Sequence, residues 1–287
     1  MEGEAHRVRE IDVADVRATV ARLCIEANTW LGPDIREALG RAAAEEESPY
    51  GRAVLEELVH NADLARSTGL ALCQDTGMAV VFLSIGQDVH FTGGSLADAV
   101  DAGVADGYTH GFLRASVVSD PLLRCNTGDN TPAVLHIAVV PGSSVEVVVA
   151  PKGFGSENMS ALRMLSPSEG VEGVKRVVLD TVDQAGPNPC PPVIVGVGLG
   201  GTMEKAALLA KRALLRPVGS HSALPHIATL ERELLEAVNR LGIGPSGLGG
   251  RTTALAVHIE TYPTHIAGLP VAVNMGCHAT RHAHAVL

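Results

Sequence analysis

Three of the five cysteines lie in sequence that forms turns rather than a hydrophobic core. Cys73 is followed by Gln-Asp-Thr-Gly, Cys190 is enclosed by prolines in Asn-Pro-Cys-Pro-Pro, and Cys277 follows Asn-Met-Gly. A structural cysteine behaves as a small hydrophobe inside a strand or helix, whereas glycine, proline, asparagine and aspartate mark turns. The fold therefore has to present three cysteines on three loops that are far apart in sequence.

Cysteine thiolates carried by separate loops are suited to an iron-sulfur cluster. A cubane cluster that receives only three thiolates keeps one iron open to substrate, where the iron can act as a Lewis acid. The sequence therefore predicts a 4Fe-4S cluster bound by Cys73, Cys190 and Cys277, with one iron not bound by cysteine. Cys24 lies in a predicted helix and is expected to pack in the core.

Composition limits the class of protein further. The chain has 287 residues, of which 46% are hydrophobic and 19% charged, so a compact core is expected rather than disorder. Only 3% of residues are aromatic and the net charge is −10, which disfavours a nucleic-acid partner. The sequence shows no apolar leader and no long uninterrupted apolar stretch, and its cysteine count is odd. These features predict a cytoplasmic protein without a membrane partner.

A chain of 287 residues is long enough for one large or two smaller domains, and it is assigned to one domain over 1–287. Hydrophobic periodicity predicts a helical N-terminal part over about 1–70 and an α/β part over about 71–287. This mixture predicts an α/β or mixed α+β fold. Pro141-Gly142 is expected to join two strands as a hairpin, and the Gly/Pro/Ser-rich stretch 242–250 is expected to be a mobile or ligand-wrapping loop. The predicted helices cover 11–31, 34–46, a segment from Ser48-Pro49, 95–106, 170–184, 202–215 and 228–240, and the predicted strands cover 78–85, 133–140, 144–150, 193–197, 253–260 and 270–274.

Five motifs follow one another along the chain and carry a family resemblance. They are Cys-Gln-Asp-Thr-Gly at 73–77, Asn-Thr-Gly-Asp-Asn-Thr-Pro at 126–132, Lys-Gly-Phe-Gly-Ser-Glu-Asn at 152–158, Gly-Val-Gly-Leu-Gly-Gly-Thr-Met-Glu-Lys at 196–205 and Pro-Thr-His-Ile-Ala-Gly-Leu-Pro at 263–270. Together they resemble the iron-sulfur hydro-lyases, namely class I fumarate hydratases and L(+)-tartrate dehydratases. The resemblance extends from about residue 11 to residue 281.

The resemblance implies the α subunit of a two-subunit hydro-lyase, because fused family members carry a further carboxyl-terminal swivelling domain that this sequence does not match. Such an enzyme reversibly adds or removes water on a small 2-hydroxy dicarboxylate. Fumarate and (S)-malate are the expected substrates, with L(+)-tartrate or mesaconate as alternatives. A separate β subunit, an α2β2 assembly and sensitivity to oxygen are expected as well. In the family pattern the position of Cys125 is not a ligand.

Asp75 lies two residues after the first cysteine, so it would be held close to the open iron and is the expected catalytic acid or base. The resemblance implies that Gln74 and Asp75 both bind substrate. It also implies that Arg114 binds a carboxylate, which a guanidinium grips with two parallel hydrogen bonds. Two simpler roles stay open: Asp75 as an Asx-turn residue that shapes the loop, and Arg114 as a surface charge at a helix end.

The resemblance further implies that substrate approaches the backbone at Gly153 and Gly155. The family has glycine where Phe154 stands, so this chain departs from the pattern at that wall. His265 matches a substrate-binding histidine, although a histidine beside an apolar strand can also be a satisfied core residue. The expected substrate-binding set is Gln74, Asp75, Arg114, Gly153, Gly155 and His265.

Two other motifs point to different functions. The glycines at 196–201 fit a dinucleotide-binding turn, but 216–227 contains neither a strand pattern nor the acidic residue that a ribose requires. Glycines before a helix can still bind an anion. The Cys-His pair at 277–278 with His282 and His284 raises the alternative of zinc, yet paired cysteines are missing, and a solvated histidine tail is preferred. A non-catalytic iron-sulfur sensor is a third alternative.

Overall fold

The computed structural model describes residues 8–287 and has a mixed α/β fold, which confirms the predicted fold class. Among the described residues, no helix is long and apolar enough to cross a membrane. The chain forms two compact units. Unit 1 combines the described part of Met1–Trp30 with Thr68–Gly153 and Arg281–Leu287, and unit 2 combines Leu31–Ser67 with Phe154–Thr280. The assignment of 1–287 to one hydro-lyase α-subunit domain stays a prediction, and residues 1–7 of its helical part lie outside the described residues.

Helices and strands are numbered along the chain. Their order is β1 (Arg9–Asp12), α1 (Val13–Thr29), α2 (Pro33–Glu45), α3 (Pro49–Thr68), β2 (Met78–Gly86), β3 (Val89–Thr92), α4 (Leu96–His110), β4 (Val134–Val140), β5 (Val145–Lys152), α5 (Phe154–Glu157), β6 (Ala161–Leu165), α6 (Gly170–Ala185), β7 (Val193–Gly200), α7 (Met203–Ala213), α8 (Pro225–Asn239), β8 (Ala254–Tyr262), β9 (Leu269–Gly276) and β10 (Ala283–Val286). Every helix and strand predicted from the sequence is present. The periodicity predicts none of β1, β3, α5, β6 and β10, because elements of four or five residues are shorter than the window that reveals a period.

The core of unit 1 lies between a mixed sheet and two helices. The strand order is β10-β5-β2-β4, and valines and leucines of this sheet cluster with α1 and α4. Gly103 and Gly107 of α4 permit a close approach, since a Cβ at either position would lie 2.7 Å from a backbone oxygen of α1. Burial of each valine or leucine contributes about 1.5–3 kcal/mol. This packing fixes β2 and therefore the end of the loop that precedes it.

The hairpin predicted for β4 and β5 is wrong. The two strands do not pair with each other, because β2 lies between them, parallel to β4 and antiparallel to β5. Their connection passes the end of β2, where Gly86 donates its N–H to Ser144 O at 2.8 Å. A Cβ on Gly86 would lie 2.3 Å from Gly142 O, so the crossing requires glycine. Two strands joined by a short connection are adjacent in sequence, but the sequence does not show that an earlier strand lies between them in the sheet.

The predicted histidine tail is also wrong, because the C-terminus forms β10. This strand pairs antiparallel with β5, with Ala283 opposite Val149 and His284 opposite Val148. Ala283 is buried in the core of unit 1, whereas His284 is exposed. The alternation of small apolar and polar residues is that of a strand with one buried face.

Unit 2 is built on a second mixed sheet with the order β6-β9-β7-β8. Strands β7 and β8 are parallel, and β9 is antiparallel to both β7 and β6. Helices α6 and α8 pack on one face of the sheet through Val178, Val182, Leu230 and Leu234, among other residues. This arrangement places the loop before β7 and the loop after β9 at the same end of the sheet.

The glycines of β7 have a packing role. A turn is predicted after Val197, but the strand continues to Gly200, so Gly196 and Gly198 lie within it. A Cβ at these positions would lie 2.2 Å from Ala210 O and 2.0 Å from Ala206 O. The glycines therefore allow α7 to lie directly on the strand, which gives the dinucleotide-like pattern a structural explanation.

The stretch 242–250 is hydrogen-bonded within unit 2. Ser246 donates its N–H to Pro191 O at 2.8 Å, and the buried carboxylate of Glu46 accepts from Arg251 N at 2.9 Å. Desolvation opposes the ionisation of Glu46, but hydrogen bonds from four backbone amides, including that of Arg251, outweigh it and hold the pKa of Glu46 below its usual range. These bonds anchor the stretch beside the Asn-Pro-Cys-Pro-Pro segment, and its mobility stays a prediction.

Acidification is expected to destabilise unit 2 through His258 of β8. Its side chain is 1% exposed, and burial, with the nearby positive charge of Arg216, lowers its pKa to about 4. Between pH 6.5 and 4 the unfolded histidine binds a proton that the folded one does not, so the free energy of unfolding falls as pH falls. We expect His258 to lower the free energy of unfolding by about 2 kcal/mol between pH 7 and pH 5.

Urea unfolding of the wild-type chain and of His258→Gln at both pH values measures this contribution. The variant should lose less stability on acidification, because glutamine does not titrate. The exposed His60, changed to Gln, is the matched control and should follow the wild type. Equal pH dependence in His258→Gln and the wild type would contradict the assignment.

Candidate active site

The loop at 72–77, which precedes β2, is held in unit 1 through its backbone. The Tyr108 hydroxyl donates to the carbonyl oxygens of Thr76 and Gly77 at 2.8 and 3.0 Å. Burial raises the pKa of the Tyr108 hydroxyl, which therefore stays protonated and able to donate. Cys73 is half-buried on this loop. The structure thus fixes the end of the first cysteine loop with a buried donor.

Asp75 performs the turn-shaping role that the sequence left open. Its Oδ1 accepts a hydrogen bond from Gly77 N at 3.0 Å, which forms an Asx turn. Its Oδ2 lies 3.2 Å from the point where a Cβ of Gly153 would be. The second carboxylate oxygen therefore lies next to Gly153, outside the hydrogen bond that forms the turn. The turn and a role in catalysis are therefore compatible.

Arg114 lies beside the same loop. Its backbone N–H donates to Thr76 Oγ1 at 2.9 Å, and its Nη1 lies 3.4 Å from Gln74 Oε1. Arg114 and Gln74 are both exposed. The arginine follows α4 by several residues and is not a charge at the helix end. Unit 1 therefore brings together a thiol, an amide, a carboxylate and a guanidinium.

The two predicted backbone positions fall in different units. Gly153 borders Asp75 in unit 1, whereas Gly155 lies in α5 of unit 2, where its Cβ would be 3.6 Å from Asn188 O. Phe154 between them is 47% exposed. Gly155 therefore lies against the segment that carries Cys190.

The second and third cysteine loops lie side by side in unit 2. Cys190 has a positive φ of 56°, and its carbonyl oxygen accepts a hydrogen bond from His278 N at 3.3 Å. On the other loop, Thr280 donates through Oγ1 to Cys277 O at 2.8 Å. A Cβ on Gly276 would lie 2.3 Å from this Thr280 oxygen, so the turn into the loop requires glycine. The structure therefore groups Cys190 with Cys277.

His265 lies at the other end of the same sheet. It precedes β9, whereas Cys277 follows β9, and a strand of this length spans roughly 25 Å. His265 is exposed, accepts a hydrogen bond from Ala267 N at 3.2 Å, and lines a largely apolar cavity of about 700 Å³ with Leu199 and Leu230. Within unit 2 it is not grouped with the cysteines, and its binding role stays a prediction.

Comparison with known proteins identifies the family. The fumarate hydratase (Fumerase) family matches residues 17–286, which is nearly the whole chain. The chain belongs to the fumarate hydratase family. The putative L(+)-tartrate dehydratase subunit alpha of Methanocaldococcus jannaschii is 43% identical over 270 residues, which cover 92% of this chain and 94% of that protein. The L(+)-tartrate dehydratase subunit alpha of Escherichia coli is 35% identical, and that of Shigella sonnei 34%, each over 266 residues that cover 91% of this chain and 87% of the relative.

The cysteines of this fumarate hydratase family chain differ in their surroundings. No disulfide joins any of the five. Cys24 is fully buried, and burial raises its pKa to about 12, so it stays a protonated core residue, as predicted. Cys190 is exposed, while Cys73 and Cys277 are half-buried on loops. Accessible thiols on hydrogen-bonded loops fit the ligand chemistry of an iron-sulfur cluster.

The three predicted ligands are divided between the units. Cys73 belongs to unit 1, and Cys190 and Cys277 belong to unit 2. Among the described residues, no three histidine, cysteine, aspartate or glutamate side chains are grouped closely enough to hold a metal ion. The cluster assignment therefore rests on the chemistry of the thiols and on the family.

Residues that support the cysteine loops were missed at the sequence level. Glu157 of α5 accepts from Asn274 Nδ2 at 2.8 Å and pairs with Lys211 of α7. Ser160 Oγ accepts from Met275 N at 3.1 Å. These bonds attach α5 to the end of β9, just before Cys277. In the sequence, these contacts are indicated only by Asn274, a polar residue within an otherwise apolar strand.

Proposed function

We propose that this chain is the α subunit of an iron-sulfur hydro-lyase that reversibly removes water from a small 2-hydroxy dicarboxylate. The observation that carries the proposal is the group of Gln74, Asp75 and Arg114 beside Cys73 in unit 1. A carboxylate that can move a proton and a guanidinium that can bind a carboxylate are components that this reaction requires, and a thiol can serve as a ligand of the cluster. Membership of the fumarate hydratase family supports the same reaction class.

L(+)-tartrate is the proposed substrate. The sequence favoured fumarate and (S)-malate, with tartrate and mesaconate as alternatives, but the relatives reported above are named L(+)-tartrate dehydratase subunit alpha. These candidate substrates differ by one hydroxyl or methyl group, and an apolar pocket distinguishes two substrates that differ by one such group by only about 1–3 kcal/mol. Phe154, which is half-exposed and stands where the resemblance implies glycine, is a residue of this chain that could influence that choice.

The proposed mechanism assigns separate tasks to the residues of unit 1. Asp75 moves the proton on the carbon next to the one that loses the hydroxyl, through the carboxylate oxygen that borders Gly153. Arg114 binds one substrate carboxylate with two N–H donors, and Gln74 is its neighbour at the carboxylate site. Cys73, Cys190 and Cys277 would hold a 4Fe-4S cluster with one iron not bound by cysteine, and when bound that iron would supply a Lewis acid for the leaving hydroxyl.

A second polypeptide completes the proposed site. The substrate has two carboxylates, and of the two guanidinium groups that contact the Gln74–Thr76 loop in the described part of the chain, that of Arg114 is exposed whereas that of Arg281 is buried. The relatives are named as alpha subunits, which supports a separate β subunit that brings further cationic groups. An α2β2 assembly in the cytoplasm, with oxygen-sensitive activity, belongs to the same proposal. Gly155 and His265 stay predicted substrate-binding residues.

Anaerobic co-purification with the β chain, followed by assay of three substrates, tests the function. The αβ complex should dehydrate L(+)-tartrate with a kcat/KM at least about tenfold above those for (S)-malate and citramalate, which corresponds to about 1.4 kcal/mol. The α chain alone is the control and should be inactive. A complex with a full cluster that acts on none of the three substrates would overturn the proposal. Preference for (S)-malate would restore the substrate favoured by the sequence.

A further inference from the structure

The guanidinium of Arg281 is buried in unit 1, with the residue only 5% exposed. Its Nε donates to Asn28 Oδ1 at 3.0 Å, and its Nη2 donates to the carbonyl oxygen of Asp75 at 2.6 Å. Burial of a charged group costs free energy unless its N–H groups are hydrogen-bonded, and the planar guanidinium fixes the direction of each bond. The backbone of Asp75 is therefore held at a defined position.

Asn28 of α1 extends this support to the other side of Cys73. It is 1% exposed, and its Nδ2 donates to Cys24 O at 2.9 Å, which orients the amide. The backbone oxygen of Asn28 accepts from Leu72 N at 2.8 Å. The Cys73–Asp75 segment is thus held by one hydrogen bond at Leu72, immediately before Cys73, and by another at Asp75, two residues after it. Both bonds are made by the Asn28–Arg281 pair.

We propose that Arg281 is a positioning residue for the Cys73–Asp75 segment. It contacts the backbone of Asp75, so it sets the directions of the Cys73 thiol and the Asp75 carboxylate together. Arg281 also follows Cys277 by four residues in sequence, so one short stretch carries a predicted ligand and the anchor of another ligand's loop. As far as catalysis is concerned, the inference rests on the proposed function.

The first test measures how accessible Cys73 is in the absence of the cluster, and it does not depend on enzyme activity. In the full-length apo α chain, the rate of Cys73 alkylation by iodoacetamide is followed by peptide mass spectrometry. Arg281→Met retains bulk but loses both hydrogen bonds, so the segment opens more often and Cys73 should react at least about fivefold faster. Cys125 is exposed on a separate loop of unit 1 and should react at an unchanged rate.

Arg216→Met is the matched control. It removes a mostly buried arginine of unit 2, which bonds Glu231 at 2.7 Å, and should leave Cys73 reactivity unchanged. If Arg281→Met does not fold, as judged by circular dichroism, Arg281→Lys replaces it. Lysine keeps the charge but cannot make both bonds, so Cys73 should react at least about twofold faster.

The second test uses the reconstituted αβ complex. Loss of a positioning hydrogen bond typically reduces activity by about 10–100-fold, so kcat should fall by this factor in Arg281→Met while KM changes less than about threefold. Arg281→Lys should recover part of kcat. A general loss of stability predicts no such division between kcat and KM and would affect Arg216→Met equally.

The two tests separate this inference from the proposed function. Faster Cys73 alkylation in a chain whose wild-type complex has no hydro-lyase activity would support the positioning role and reject the function. Unchanged alkylation and unchanged kcat in a folded Arg281→Met protein, with an active wild type, would overturn the positioning role alone.

Discussion

Cys190→Ser is expected to abolish the iron-sulfur cluster of the reconstituted α chain. Wild-type protein should bind about four irons per chain under anaerobic conditions, whereas a cubane that loses one of three thiolates has no replacement ligand. The same loss is expected for Cys73→Ser and Cys277→Ser. Iron and sulfide analysis, together with the visible absorption of the cluster, measures the result.

Cys125→Ser is the matched control, because Cys125 is an exposed loop cysteine that the family pattern does not use. It should retain the full iron content. Cys24→Ala, at the buried thiol of α1, should retain it as well. Full cluster content in Cys190→Ser would exclude Cys190 as a ligand. Loss of iron in Cys125→Ser would instead add a residue to the ligand set.

The local features of the site could be predicted because they depend on short stretches of sequence. Turn residues around Cys73, Cys190 and Cys277 were sufficient to place all three on loops. The Asx turn of Asp75 was visible from the glycine that follows two residues later. Periodicity likewise identified the long helices, since each repeats its apolar face over several turns.

Features that depend on tertiary contacts could not be predicted from the same patterns. The connection of β4 to β5 reads as a hairpin, and only the three-dimensional arrangement shows that β2 lies between them. The glycines of β7 read as a turn, because the sequence does not show that α7 packs on them. Arg281 reads as an ordinary charged residue after Cys277, and its contact with Asp75 joins segments more than 200 residues apart. In each case the deciding feature is a contact between separate elements, which a local sequence pattern does not show.

Asp75→Asn is expected to lower kcat by about 10²–10⁴-fold, because an amide of the same shape cannot accept the substrate proton. Asparagine can still accept the hydrogen bond from Gly77 N, so the Asx turn and the cluster should both be retained. KM should change little. Steady-state kinetics of the αβ complex with L(+)-tartrate, normalised to iron content, measure the effect.

Arg114→Lys is the comparison variant, because it should change substrate binding rather than proton transfer. Lysine keeps the positive charge but loses the bidentate fork, so KM should rise most, at a cost of about 1–3 kcal/mol. Proton transfer and carboxylate binding would then be assigned to two different residues of one group in unit 1, in which Arg114 contacts Gln74 and Thr76, the two neighbours of Asp75. If Asp75→Asn retains the wild-type kcat, the proton is moved by another group. Because Asp75 is the carboxylate of this group, the β subunit would then be the first place to search for the base.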